Sequence, residues 1–437
     1  MNDKANASGT RNPHNNQKRI QLQGAFKLLR PELKRAIGTA GYIEPTPVQE
    51  QSIPELLRGR DIIGIAQTGT GKTAAFVLPL LQRIAARPRK ARPNGAQALI
   101  LAPTRELAAQ IGDSIHTYGK FLHLRHTTIF GGVNQFQQVK ILKKGVHILV
   151  ATPGRLLDLV NQGHVSLDQI DYFILDEVDR MLDMGFQPDI RRILKLISKE
   201  RQTMFFSATM PPKIADLAHS MVHEPILVSI KPEKPTVDRI DQKVMFVGKQ
   251  HKDALLLSLL DESVIYKAIV FTQMKHIANR VTQKLNKAGI KATAIHGNKS
   301  QNARTQALEG FKGSKFKVLV ATDVAARGLD VDDISHVINY DLPVEAETYV
   351  HRIGRTARAG ARGDAISFCT AEERAYLNDI EHLLGSPVVN DLEHAYHSDE
   401  ALHSTVQVPK RYGGGASGRS SQRRKSAKRR PRGRRYR

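Results

Sequence analysis

The chain of 437 residues has a single cysteine, Cys369. One thiol excludes an internal disulfide framework and fits a reducing cytosol. Within "AISFCT" no chemical partner accompanies it, so Cys369 reads as a small buried residue and not as a nucleophile. No apolar run reaches the roughly 18 residues that a membrane span needs, which argues against a membrane role. The opening "MNDKANASGTRNPHNNQKR" is polar and has no apolar h-region, so no secretory signal is expected and the location reads as cytoplasmic. Acidic residues are missing from the last stretch. Between Pro409 and Arg437 there are thirteen Lys or Arg and no Asp or Glu. The net charge is +24, and setting these thirteen aside leaves +11 on the rest. Body and tail are thus both basic, and such a balance calls for a polyanionic partner, nucleic acid first.

What is present is a rhythm. "DIIGIA", "ALILAP", "TTIF", "HILVAT", "YFILD" and "TMFFSAT" are strand-length and apolar on both sides of the pleat, as central parallel strands are. Amphipathic stretches such as "TRELAAQIGDSIHTYGKFL" separate them, which predicts an α/β sheet with helices on both faces. "SIKPEKPTVDRI" carries two prolines and mixed charge and reads as a linker. A second series follows: "AIVFT", "ATAIHG", "KVLVATD", "HVINYD" and "AISFCT". "HILVATPGRL" in the first half and "KVLVATDVAARGL" in the second echo one another, which suits two related α/β folds in tandem. The expected division is 1–20 a disordered N-terminal segment, 21–230 the first domain, 231–240 a linker, 241–395 the second domain and 396–437 a basic disordered tail.

"AQTGTGKT", residues 66–73, follows a strand and opens a helix, the setting a P-loop requires. Gly69 and Gly71 let backbone amides turn inward around phosphate, and the helix N-terminus adds partial positive charge. Lys72 is expected to reach the β- and γ-phosphates and Thr73 to hold Mg²⁺. Three carboxylates crowd into "YFILDEVDRML". Asp176, directly after a strand, fits the Mg²⁺ anchor, and Glu177 the residue that orients and deprotonates the attacking water. Asp179 is too far along to share the metal, and the hydroxyls of Ser207 and Thr209 in "SAT" are candidate partners for it. In "HRIGRTARAG" arginines recur every three residues at Arg352, Arg355 and Arg358, neighbouring positions of one helix side. Arg355 and Arg358 are candidate arginine fingers, worth roughly 10³–10⁵-fold in rate where such groups act. His116, His123 and His126 cluster, but no cysteine or acid completes a metal set. His296 and His351 read as hydrogen-bonding residues.

These motifs, in this order, resemble the DEAD-box family of superfamily 2 RNA helicases, from about Phe26 to Ala375. The wording "DMGF" and the basic tail resemble most closely the bacterial RhlE-like subgroup. The resemblance implies two RecA-like domains and an ATP site formed by Ala66, Gln67, Thr68, Gly69, Thr70, Gly71, Lys72 and Thr73. "GYIEPTPVQ" looks like the Q motif, which implies that Gln49 reads adenine and that Phe26 stacks on it, although the step from Phe26 to Gly41 is shorter than usual. Asp330 would contact the ribose. "PTRELA", "GG" and "TPGR" look like the backbone-contacting motifs, which implies RNA contacts at Pro103, Thr104, Arg105, Gly132, Thr152, Pro153, Gly154 and Arg155. In the second half, "HGNKSQNAR" and "ATDVAARGLD" imply that Gln301, Arg304 and Thr322 face RNA. "SAT" looks like the coupling motif. "DEVD" departs from the family's "DEAD" at Val178, leaving the three acids intact but the packing changed.

The resemblance implies an RNA-dependent ATPase using ATP and Mg²⁺ that closes on RNA and remodels short duplexes or RNA–protein complexes. It implies partners that are single-stranded and short duplex RNA, with ribosomal or RNA-decay proteins in prospect. A DNA translocase of the same superfamily and a non-catalytic RNA scaffold are the rival readings. The tail adds a sequence-indifferent grip on RNA by counterion release, and Tyr412 and Tyr436 are its only aromatics. Deleting residues 409–437 is therefore expected to weaken RNA affinity and flatten its salt dependence while RNA-independent ATP hydrolysis persists. An unchanged salt slope in a binding titration would remove the tail from RNA binding.

Overall fold

The structure is a computed structural model. It describes residues 21–406 except Thr68, Pro88, 231–239, Ser263, 327–330, Asp332 and 358–362. The expected N-terminal segment, nearly all of the linker and the basic end of the tail lie outside the described residues.

Among the described residues, fourteen strands form two sheets. The first holds β1 (Ile62–Ile65), β2 (Ala98–Leu101), β3 (His126–Ile129), β4 (Ile148–Ala151), β5 (Tyr172–Leu175), β6 (Gln202–Ser207) and β7 (Ile226–Ser229). The second holds β8 (Ile240–Phe246), β9 (Ala268–Phe271), β10 (Ala292–Ile295), β11 (Val318–Ala321), β12 (His336–Asn339), β13 (Gly363–Cys369) and β14 (Val389–Asn390). Their orders are β3-β4-β2-β5-β6-β1-β7 and β10-β11-β9-β12-β13-β8-β14. Adding seven to each strand number of the first sheet reproduces the second, so the two domains share one topology. The echoing segments fall on β4 and β11, which occupy equivalent places. All strand pairs within the two sheets are parallel.

The central strands β2, β4, β5, β6, β9, β11 and β12 are buried at every residue, because helices cover both faces. That is why these strands read as largely apolar runs, with Gln202, Thr203 and Ser207 of β6 and His336 and Asn339 of β12 as buried polar exceptions. The strands the sequence reading did not single out are β7, β8 and β14. β7 and β14 lie at sheet edges and are largely exposed, and β8 mixes buried with exposed positions, so none carries such a run. Cys369 lies in β13, where burial pushes its thiol up to about 12. Packing of the second domain continues past residue 395. Ser398 N donates to Phe246 O at 3.0 Å, and Ala401 of the helix Asp399–Leu402 is buried beside Val244, Phe246 and Leu377. The part of the expected tail from 396 to 402 is thus a packed element. Among the described residues, no helix is long and apolar enough to cross a membrane.

The shared topology exposes a contrast. In the first domain the helix after β1 starts at Lys72, and Asp176 follows β5. In the second, the helix after β8 starts at Lys252, and Asp341 lies just past β12. There Lys252 Nζ is 3.0 Å from Asp341 Oδ1 and 2.8 Å from Glu373 Oε2, all three residues being buried. The lysine at the equivalent place in the first domain donates to a main-chain carbonyl, Ala66 O, whereas here two carboxylates hold it. Removing the lysine would strand two buried carboxylates. Lys252→Met is therefore expected to destabilise the second domain by about 3–5 kcal/mol, read as an early unfolding step in a thermal or urea melt.

Candidate active site and RNA face

A parallel sheet sends every loop that follows a strand to the same edge. In the first domain Ile65 is in register with Ser207, and Leu175 with Phe205. The loops after β5, β6 and β1 therefore emerge side by side, carrying Asp176 and Glu177, "SAT", and the P-loop. Further along the same edge, the loops after β2, β4 and β3 carry Pro103–Arg105, Thr152–Arg155 and the glycines 131–132. The candidate nucleotide residues and the candidate RNA residues form one row.

The P-loop is tied from both sides. Gly69 and Gly71 take φ of +87° and +93°, a region that costs any residue with a Cβ. At Gly71 a Cβ would also lie 2.4 Å from Gln49 Nε2. Gln49 stands in the first turn of the helix Pro47–Arg58. Its Oε1 accepts from Thr46 N at 3.0 Å and its Nε2 donates to Gly71 O at 3.1 Å. Thr70 Oγ1 donates to Gln67 O at 2.7 Å. Lys72 is buried, and its Nζ donates to Ala66 O at 2.5 Å. Thr73 follows it in the first turn of the helix Lys72–Ala86. Thr68 lies outside the described residues.

Asp176 is 2% exposed and accepts from Glu177 N at 3.0 Å. Burial pushes its carboxyl up to about 7; Lys72 opposes the shift, and Glu177 and Asp179 add to it. Glu177 takes φ of +54° at the N-cap of the helix Val178–Asp183, and Arg180, one turn on, pairs with its carboxylate. Asp179 Oδ2 accepts from Ala208 N at 3.0 Å, Thr209 N at 3.1 Å and Thr209 Oγ1 at 3.3 Å, while Asp179 N donates to Ser207 Oγ at 3.3 Å. The loop after β5 is thereby bonded to the loop after β6. A buried carboxylate with two acidic neighbours and one lysine carries uncompensated negative charge, which is the donor set a divalent cation suits.

The domains meet at the row of candidate RNA residues. Arg304, near the start of the helix Gln301–Lys312, pairs with Glu106 at 2.9 Å, and both side chains are at least nine-tenths buried. Gln301 donates to Glu106 at 3.2 Å and accepts from Arg105 at 3.4 Å. Burial lowers the Arg105 guanidinium below its usual range, and the adjacent Arg304 charge lowers it further. Arg105 also fills the space beside Gly132, where a Cβ would lie 2.0 Å from its Nη1. Pro103, Thr104, Thr152 and Pro153 are buried at helix starts, Gly154 is exposed, and Arg155 Nη1 reaches Gln138 at 3.4 Å. Thr322 is buried at the end of β11.

In the second domain Arg352 is 1% exposed. It holds Asp323 through two bonds of 2.6 and 2.8 Å and donates to Asp341 O at 2.6 Å. This arginine braces the fold. Arg355 is buried and its Nε donates to His351 O at 3.3 Å. Arg358 and Asp330 lie outside the described residues.

One expectation fails. Phe26 is 1% exposed and packs in the apolar cluster with Leu29, Leu33 and Val48, leaving no free ring face for a base. Val178 of "DEVD" is fully buried beside Met181, so the larger side chain is absorbed by core packing. Sequence reasoning missed Arg180 and Glu106 because their partners are set by helix geometry and domain contact; Asp323 was missed for the same reason. Only the i,i+3 spacing of Glu177 and Arg180 offered a signal. Asp176 yields a prediction. A carboxyl raised by burial favours the fold below its unfolded pKa, and that contribution is lost as pH rises to about 7. Asp176→Asn is expected to raise the nucleotide-free melting temperature at pH 8, by about 2–4 °C per kcal/mol recovered, with the gain fading towards pH 4.

The family profile described as DEAD/DEAH box helicase matches residues 46–217, and that described as helicase conserved C-terminal domain matches 251–360. The chain is 45% identical over 373 residues to the ATP-dependent rRNA helicase rrp3 of Neosartorya fischeri, covering 85% of this chain and 77% of that protein. It is 43% identical to the DEAD-box ATP-dependent RNA helicase CshA of Geobacillus kaustophilus, covering 81% and 74%. Among solved structures, S. cerevisiae Dbp5 bound to RNA and ADP BeF3 superposes with a TM-score of 0.73 at 32% identity, covering 83% of this chain and 94% of that one. Profiles, relatives and fold agree with the motif row, and the chain belongs to the DEAD-box family of ATP-dependent RNA helicases.

Proposed function

We propose that the chain is an RNA-dependent ATPase that locally unwinds or remodels short RNA duplexes and RNA–protein complexes by closing its two domains. The observation that carries this reading is the contact of Arg105 and Glu106 with Gln301 and Arg304. Candidate RNA residues of both domains meet there, on the edge that also carries the P-loop. Two guanidiniums close together repel one another, and a phosphate between them relieves that repulsion. A polynucleotide backbone thus favours the closed arrangement.

Lys72 exchanges the Ala66 carbonyl for the β- and γ-phosphates, and the amides around Gly69 and Gly71 cradle them. Gln49, bonded to the P-loop at Gly71, senses the nucleotide base. Thr73 and Asp176 would hold Mg²⁺, which supplies neutralisation of phosphate charge when bound. Glu177, oriented by its N-cap position and by Arg180, accepts the proton of the attacking water. Asp179, Ser207 and Thr209 couple that loop to the neighbouring one. Arg355 and Arg358 approach the terminal phosphate from the second domain and Asp330 the ribose. RNA is held through phosphate and 2′-hydroxyl groups at Thr104, Arg105, Gly132, Thr152, Gly154, Arg155, Gln301, Arg304 and Thr322, with little base preference. The "DMGF" wording and basic tail support an assignment to the RhlE-like subgroup, with ribosomal or RNA-decay proteins as prospective partners and a cytoplasmic setting.

The test is an ATPase assay with RNA and with double-stranded DNA as stimulators, on the wild type and on Glu177→Gln. RNA should stimulate turnover and double-stranded DNA should not. The variant should bind ATP but fall in turnover by about 10²-fold or more. Equal stimulation by DNA would favour the translocase reading, and absence of any hydrolysis would favour the scaffold.

A further inference from the structure

The helix Gln135–Leu142 starts three residues past the glycine doublet, and its inner side is well anchored. Asn134 Oδ1 accepts from Phe136 N at 2.9 Å and sets the first turn. Gln138 is buried: its Nε2 donates to Phe130 O at 3.1 Å and its Oε1 accepts from Arg155 at 3.4 Å. Gln135 bonds Gln162 at 2.9 Å, at the end of the helix Pro153–Asn161 that begins with the candidate RNA residues. The helix is therefore fixed to the RNA row at two points.

Its outer side is unusual. Phe136 is 65% exposed and is the one exposed phenylalanine among the described residues. Lys140, Lys143 and Lys144 are exposed as well. Phe136 and Lys140 stand about one turn apart on one side of the helix, and Lys143, at the C-cap, and Lys144 follow just past its end at Leu142. From Gly131 to Gly145 there is no Asp or Glu, so no acid neutralises the lysines within the segment.

A bare aromatic face followed by unneutralised cations, continuous with a row of backbone-binding residues, matches one chemistry. Successive bases of a single strand stack on rings while their phosphates meet lysines. We propose that this face extends the RNA path beyond the glycine doublet, with Phe136 as a stacking platform for one base and Lys140, Lys143 and Lys144 as phosphate contacts. Every base has a π-face, so the extension adds grip without sequence preference. Because the ring stands on a helix and not on a loop, little ordering is needed when RNA arrives. The proposal rests on the RNA reading above and adds a residue and a stretch of strand to it.

The test is binding of the full chain to a labelled oligouridine of about 20 nucleotides, followed by fluorescence anisotropy with a non-hydrolysable ATP analogue present. Phe136→Ala should weaken binding about tenfold, and Phe136→Leu by a similar factor, while Phe136→Tyr stays within about twofold of wild type. Doubly replacing Lys140→Gln and Lys144→Gln should reduce the slope of log affinity against log salt by about 1.4. Thermal melts of the variants check that each is folded. If Phe136→Ala binds as tightly as wild type, the proposal is wrong. If Phe136→Leu retains wild-type affinity while Phe136→Ala does not, the contact is apolar docking and stacking is refuted. If the wild type binds no oligouridine at all, this proposal and the proposed function fall together, whereas loss confined to the Phe136 comparison leaves the proposed function standing.

Discussion

Asp176 is a carboxylate taken almost wholly out of water, with two more acids within three residues and one lysine facing it. Left to itself such a group takes up a proton or pulls the loop open. The first tendency persists, since burial raises the carboxyl to about 7, and the surrounding structure opposes the second. β5 fixes the backbone on one side of it, Glu177 N hydrogen-bonds its oxygen, Arg180 engages Glu177, and the amides of the loop after β6 engage Asp179. Each neighbouring acid is drawn away to a partner of its own. What remains is a single negative site opposite Lys72, at the lip of a glycine loop. Concentrated charge of this kind costs stability in the folded protein, which ties this loop to the energetics of the fold.

The second domain shows the other way to settle the same geometry. Its topology repeats the first strand for strand, and it too starts a helix with a lysine and follows the central strand with an aspartate. There the lysine binds the aspartate and Glu373 directly. One ion triad closes the place that its counterpart keeps available. Arg352 locks the helix Ala346–Ile353 to Asp323 and to the strand end at Asp341.

The row of candidate RNA residues follows the same economy of position. Parallel strands bring loops far apart in sequence to one edge, and the domain contact through Glu106 and Arg304 continues that row into the second sheet. Phe136 lies where the row runs out past the glycine doublet, on a helix that the candidate backbone contacts brace from beneath.

The sequence by itself determined the α/β class, the tandem repeat and the central strands, because strands buried on both faces carry apolar residues on both sides of the pleat. It also determined the P-loop, where glycines with positive φ and a lysine at a helix start leave few other uses. The links of Asp179 to Ser207 and Thr209 were open in the sequence as a possibility, since they join the ends of two apolar strands. The tertiary structure alone decided which strands neighbour which, and so which loops share an edge. It decided that Phe26 is core, that Arg352 is a brace, and that Glu106 belongs to Arg304. It also decided that edge strands such as β7 and β14 exist at all. The physical reason is common to these cases. Local pattern records how a residue meets its own helix or strand, whereas burial and ion pairing depend on which distant segment is packed against it.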